Sequence, residues 1–342
     1  MLAEFETKPI EMNTLTMRPA TLDDIPGVVE AGNACAIAQI GRPDMEADDL
    51  HNEWTSPKVN LAENMRVVET DDGRIVGVIE VWDTDPLPVS NWVWARVHPD
   101  FENMGIGSML MDWADQRLQV TAERVPEDLR VYYHCDSVST YLPSIQLFED
   151  RKLKLVRHFW HMEIELDKPI PQPVWPQGIR LTTFAEIKDM RQVYLAFDDA
   201  FKDHWGHVDQ PADGVDGRVE EWQHWVQNDK HFDPNLWFLA VAGEEIAAVC
   251  LANPNRQEDP DMGWVDILGV RRPWRKQGLG LALLHHTFAA LQTFGKLRCG
   301  LGVDAASLTG ATRLYEKAGM HIARQYDAYE KEIRSGRDIS RR

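Results

Sequence analysis

Asp266-Ile267-Leu268-Gly269-Val270-Arg271-Arg272-Pro273-Trp274-Arg275-Lys276-Gln277-Gly278-Leu279-Gly280-Leu281-Ala282-Leu283-Leu284 is the stretch that decides the fold of this 342-residue chain. It opens as a short apolar run ending in Gly-Val, the pattern of a strand. A basic turn carrying Pro273 breaks that pattern, and a helical run over 281–294 follows. Between strand and helix stands Gly278-x-Gly280. Glycines here let the backbone approach a ligand closely, and the unpaired N–H groups of the first helical turn point the same way. With Arg275 and Lys276 alongside, the loop reads as an anion site that suits a diphosphate. A nucleotide P-loop needs Gly-x-x-x-x-Gly-Lys-Ser/Thr, which is missing. A Rossmann fingerprint needs a third glycine at 283, where the chain has Leu. Alone, Gly-x-Gly before a helix is equally the mark of a plain strand-to-helix turn.

Arg275-x-x-Gly278-x-Gly280 resembles the pyrophosphate signature of the GNAT superfamily of acetyl-CoA-dependent acyltransferases. Downstream, Ala311-Thr312-Arg313-Leu314-Tyr315-Glu316-Lys317-Ala318-Gly319-Met320 resembles that superfamily's A-x-x-L-Y-E-K-x-G-F segment, with Met320 in place of Phe. Gly319 suits the C′ stop of a short helix, and a strand over 323–333 follows. Upstream, residues 237–251 read as a hairpin turning at Gly243-Glu244. Hairpin, strand, Gly loop, helix, strand and Leu-Tyr helix follow the GNAT order over residues 179–333.

The remaining chain restarts the same order, so the sequence is an internal duplication. Met17-Arg18 matches Ile179-Arg180, and Leu147-Phe148-Glu149 matches Leu314-Tyr315-Glu316. Val97 with Gly105 and Gly107 matches Val270 with Gly278 and Gly280 at one offset. Thr21 and Asp24 suit the start of a first helix reaching about position 38. A hairpin turns at Asp72-Gly73, strands follow at 91–98 and 129–134, a helix spans 141–149, and a strand over 159–166 closes the unit. Four prolines in residues 167–178 predict a semi-rigid connector. The expected organisation is therefore an N-terminal unit over 1–166, a linker over 167–178, a second unit over 179–333 and a tail over 334–342. By resemblance, the fold class is α/β: two tandem GNAT-like domains, each a mixed, mainly antiparallel sheet flanked by helices. The arrangement is similar to that of the mycothiol synthase group, whose members carry two such units in one chain.

Composition narrows the partners. Thirty-six basic against 55 acidic residues give a net charge of −19, which repels nucleic acid and mildly favours cationic acceptors. Charge for solubility is the plainer reading. No apolar run reaches the roughly 18 residues of a membrane span, and the first residues lack the pattern of a signal peptide. Cys35, Cys135, Cys250 and Cys299 are scattered, which suits free thiols in a reducing cytoplasm. The histidine pairs His204/His207 and His285/His286 lack zinc-site spacing, so no metal is expected.

The resemblance also assigns roles. The strand before the Gly loop would present Leu268, Gly269 and Val270 to the thioester of acetyl-CoA. The loop would hold its diphosphate with Arg275, Lys276, Gln277, Gly278, Leu279, Gly280 and Leu281. Asp266 stands where the superfamily often has a Glu base, and its shorter side chain favours a water relay. Tyr315 would return a proton to the departing thiolate. In the first half Val93 replaces Asp266, Phe148 replaces Tyr315 and Glu102 replaces Arg275. That half is expected to be catalytically silent, with Val97, Gly105, Ile106, Gly107 and Ser108 as a possible vestigial CoA site or simply a preserved turn. Between the first strand and the hairpin of the second half, Asp203, His204, Trp205 and Trp222 are candidates for the acceptor. Aromatic faces beside carboxylates suit an amine, although Trp222 and Trp225 at i, i+3 also fit a buried helix face. The expected activity is direct transfer of acetyl to a small-molecule amine. A non-catalytic acyl-CoA scaffold and a protein acetyltransferase are the alternatives.

Overall fold

The apolar runs at 65–69 and 75–82, buried on both faces of the sheet, fold back on each other across Thr70–Arg74 and begin the first half. The computed structural model describes residues 15–211, 214–255, 259–307 and 310–341. In chain order the first half contains β1 (Thr16–Pro19), α1 (Ile25–Ile40), α2 (Ala47–Trp54), α3 (Leu61–Asn64), β2 (Met65–Glu69), β3 (Ile75–Trp82), β4 (Ser90–Val97), α4 (Ile106–Glu123), β5 (Val131–Val138), α5 (Leu142–Asp150) and β6 (Lys154–Glu165). The second contains β7 (Ile179–Thr183), α6 (Phe184–Ile187), α7 (Met190–Phe201), α8 (Gly214–Asn228), β8 (Trp237–Ala242), β9 (Glu245–Asn253), β10 (Met262–Val270), α9 (Leu279–Thr293), β11 (Arg298–Asp304), α10 (Ala311–Lys317) and β12 (His321–Arg334). Two tandem units of α/β class thus share one mixed sheet flanked by helices.

That sheet has 12 strands in the order β1-β2-β3-β4-β5-β12-β6-β11-β10-β9-β8-β7. The strand over 159–166, expected to close its own unit, runs instead from Lys154 to Glu165 and pairs with β11 and β12. The place beside β5 is taken by β12, with Tyr326 opposite Val138 and Arg334 opposite Val131. The halves have exchanged their last strands. Backbone pairing does not distinguish the two partners, so side chains select them. Arg130 at the foot of β5 reaches Glu330 at 2.6 Å and Glu332 at 2.7 Å on β12, while Arg157 on β6 reaches Asp304 on β11 at 3.0 Å. Opposite charges across a strand pair stabilise one register over its competitors. Deleting residues 321–342 would uncover the edges of both β5 and β6. We expect insoluble protein, measured as soluble yield and light scattering, because long open edges recruit other chains.

Each half has a core on both faces of its sheet. In the second half, Leu279, Leu283, Leu284 and Phe288 of α9 pack on Ala248 and Cys250 of β9. On the opposite face α7 and α8 cover Leu239, Val249 and Leu251. Residues 167–176 form neither helix nor strand, and Gln292 donates to the carbonyls of Leu166 and Lys168, which ties the stretch to α9. All four cysteines are buried and unpaired. Among the described residues no helix is long and apolar enough to cross a membrane.

Candidate active site

Two parallel strand pairs open like a V. β10 runs beside β11 only from Met262 to Val265, yet stays paired with β9 as far as Val270. From Ile267 onward the backbone edge of β10 that faces β11 therefore has no ladder partner, so Leu268, Gly269 and Val270 present it to the opening. The first half repeats this: β4 pairs with β5 only over Ser90–Trp92.

A break in register between Val265 and Ile267 puts an extra residue, Asp266, into β10. A bulge turns consecutive side chains to one side of the sheet. Val265 and Leu268 pack with the α9 core, whereas Asp266 and Ile267 both line a cavity of about 360 Å³ on the α8 face. Trp222, Trp225, Trp237 and Leu251 form its apolar walls. Asn52, Glu53, Ser56 and Trp82 come from the first half. These four were not picked out in the sequence, since no local pattern joins positions 52–56 and 82 to 266. They are held by contacts between the halves: Asn52 donates to the Trp225 carbonyl at 3.0 Å, and Lys58 pairs with Glu221 at 3.1 Å.

Gly278 caps α9 in the left-handed region, with φ of 86°, and Gly105 caps α4 with φ of 84°. Both loops consequently turn the N–H groups of a long helix toward the opening of their strand pair. A Cβ on Gly280 would stand 3.0 Å from Leu314, and one on Gly107 would stand 2.9 Å from Leu147. In the second-half loop Lys276 and Gln277 are exposed, while Leu279 and Gly280 are buried. Arg275 does not project into solvent. It donates to both oxygens of Asp203, at 2.5 and 2.9 Å, and to the carbonyls of Val270 and Ala200. The hydrogen bonds from Arg275 hold the Asp203 carboxyl down at about 2. A residue assigned to the acceptor and one assigned to the diphosphate are thus partners that brace the loop against the end of α7.

The other candidates separate. Trp222 lines the Asp266 cavity while packing edge-on against Tyr194 and Trp237. His204 stacks on Phe201 at 4.3 Å, and burial lowers its pKa. Trp205 lies elsewhere, between His134 and Phe159 with Arg157 over its ring. Tyr315, on α10, is 6% exposed in the α9 core, and burial keeps its phenol protonated well above the ordinary range. The Cys250 thiol, pushed up to about 12 by burial, lies within the electrostatic reach of both Tyr315 and Asp266. Cys250 also sits opposite Leu268 in the ladder. Tyr315 thus lies on the α9 side of the sheet and Asp266 on the α8 side, with the unpaired edge of β10 between them.

In the first half β3 and β4 pair without any break in register. Val93 consequently stays in the α4 core with Phe148. Its opening holds a cavity of about 310 Å³ lined by Val97, Gly105, Ile106, Gly107 and Ser108, among others. Glu102, at the position of Arg275, accepts a hydrogen bond from Tyr141.

A parallel strand pair opened at a bulge, followed by a glycine loop on a helix N-terminus, defines an acyltransferase scaffold. Residues 34–125 and 191–320 match the Acetyltransferase (GNAT) family, and the chain belongs to that family. It is 31% identical to the mycothiol acetyltransferase of Thermobispora bispora over 73% of this chain and 77% of that protein. The mycothiol acetyltransferase of Salinispora arenicola is also 31% identical, over 74% and 76% of the two chains. Among solved structures, a GCN5-related N-acetyltransferase from Sphaerobacter thermophilus superposes with a TM-score of 0.75 at 32% identity, covering 95% of this chain and 97% of that one. A tandem GNAT protein from the clavulanic acid biosynthesis pathway shares the fold, with a TM-score of 0.68 at 14% identity and 95% and 100% coverage. The protein is an acetyltransferase whose acetyl donor is acetyl-CoA. The glycine loop at the N-terminus of α9 and the unpaired strand edge beside it fit that donor, and the first half repeats both features.

Proposed function

We propose that the second half transfers acetyl from acetyl-CoA to the amine of a small molecule. The observation carrying this reading is the bulge that turns Asp266 into an aromatic-walled cavity at the mouth of the opened strand pair. When bound, acetyl-CoA supplies an acetyl thioester. The edge of β10 at Leu268, Gly269 and Val270 faces the place where its carbonyl must lie, so backbone N–H groups there would stabilise the oxyanion that develops on attack. The N–H groups at Gly278, Leu279, Gly280 and Leu281, with Lys276 and Gln277, would hold the diphosphate, and Arg275 would keep their loop in place through Asp203. Asp266 takes a proton from the incoming ammonium, through a water given its short side chain. Tyr315 donates a proton to the thiolate that leaves. The small-molecule acceptor is in keeping with the names of the relatives, and the cavity suits it better than a polypeptide tail. Catalysis would belong to the unit over 179–333, with β6 completing its sheet, and the unit over 1–166 would serve as a silent partner retaining a CoA-shaped opening.

A matched pair of substitutions tests the division. Gly278→Val and Gly105→Val impose the same left-handed strain of about 1–3 kcal/mol. Gly278→Val is expected to raise KM for acetyl-CoA by about tenfold, equivalent to about 1.4 kcal/mol. Gly105→Val should leave kcat and KM within about twofold. Equal losses in steady-state assays of thiol release would show that turnover is not confined to the second half.

A further inference from the structure

Among the described residues five carboxylates are buried: Asp24, Glu80, Asp83, Asp259 and Asp327. Four have a cationic or basic partner. Arg18 holds Asp24, Arg117 and Arg124 hold Asp83, Arg42 and Arg298 hold Asp259, and His158 faces Asp327. Glu80 differs. It is 3% exposed, and its oxygens accept only the indole N–H groups of Trp54, at 2.8 Å, and Trp82, at 3.1 Å. Among the described residues it enters no ion pair. Each carboxylate oxygen accepts more than one hydrogen bond, so acceptor capacity remains. A buried carboxylate without a counter-ion is costly.

The surroundings indicate what would supply the charge. Glu80 lines a second cavity, of about 280 Å³, with Asp49, Glu53, Trp82, Trp94 and Arg96. Arg96, the cation there, is engaged by Asp44 at 3.2 Å and by Gln39 at 2.7 Å. Glu53 and Trp82 also line the Asp266 cavity, so the two spaces meet at those residues. A molecule with its reacting nitrogen at Asp266 would extend past Trp82 to Glu80. Resting on the assignment of Asp266 to the acceptor site, we propose that Glu53 and Glu80 form a subsite for a second ammonium group, and that the acceptor is therefore a diamine or longer polyamine. Two carboxylates lining one cavity favour an alkylammonium over a neutral group, since each can accept a charge-assisted hydrogen bond from it. The two carboxyls are consistent with such a vacancy in charge. Burial raises Glu80 above the usual range, and the crowding of protein around Glu53, with Glu80 and Asp49 nearby, raises that carboxyl as well although its surface is open to water.

Calorimetry on the full chain tests this with 1,5-diaminopentane and 1-aminopentane. The diamine should bind about tenfold or more tightly than the monoamine, and its binding should release protons, seen by repeating the titration in buffers of different ionisation heat. Glu53→Gln and Glu80→Gln should each abolish the preference. Glu53 is reached by water and accepts no indole, so Glu53→Gln remains informative if Glu80→Gln unfolds. Equal affinities, absence of diamine binding, or a preference surviving Glu53→Gln in folded protein would overturn the subsite. Acetylation assays separate the two readings. Efficient transfer to monoamines without diamine preference removes the subsite and keeps the proposed activity. Diamine-selective binding with no transfer to any amine keeps the subsite and removes the activity.

Discussion

Tyr315→Phe is expected to lower kcat by about 10²- to 10³-fold, the usual worth of a positioned proton donor, while acetyl-CoA affinity stays within about twofold. The substitution deletes one oxygen from a side chain that is 6% exposed. Among the described residues no group hydrogen-bonds that hydroxyl, so Phe retains the packing and little stability is lost. Thermal unfolding should confirm an intact fold, and single-turnover kinetics should place the loss in the chemical step. The pH dependence adds a second check. Burial holds the phenol above its ordinary value, so its protonated, donating form persists up to at least about pH 10. Any fall in kcat below that pH must arise from another group. A variant turning over like wild type would remove Tyr315 from the mechanism.

Asp266→Ala should reduce kcat/KM for the amine by about 10²- to 10⁴-fold at neutral pH. The residue occupies a bulge at the cavity surface, outside the packed core, so folding should tolerate the change. The signature is in the profile against pH. Wild type should lose activity on the acid side as the base is protonated, and Asp266→Asn should lack that limb. Raising the pH should also rescue the variant, because an acceptor that has already lost its proton needs no base. Asp266→Glu should retain most activity, since the longer side chain reaches into the same cavity. An unchanged acid limb in Asp266→Asn would transfer the role to another group.

Much of this architecture was legible in the chain because its signals are local. The duplication, the hairpins at Asp72-Gly73 and Gly243-Glu244, and the glycine loops depend on residues a few positions apart. Helix α9 was expected over 281–294 and spans Leu279–Thr293. Tyr315 and Asp266 are candidates by motif, and their roles remain part of the proposal. What escaped notice is non-local. Sequence order placed 159–166 with its own unit, but the pairing of Arg157 with Asp304 and of Arg130 with Glu330 decides otherwise. Asn52, Glu53, Ser56 and Trp82 belong to the Asp266 cavity only because the two halves meet there. The bulge was also hidden, since one extra residue in a strand leaves the apolar pattern almost unchanged. The motif places Arg275 beside the glycine loop, but nothing local to it reveals that its side chain pairs with Asp203, 72 residues earlier.

The exchanged strands also bear on how the molecule is made. During synthesis the segment that emerges first cannot be completed until the last residues, His321–Arg334, leave the ribosome and slot in beside β5. Its twin, by contrast, takes up a strand made long before. Cutting the connector would not yield two working enzymes, because each product would hold its neighbour's final piece. Neither copy could be discarded without stripping the other of a strand.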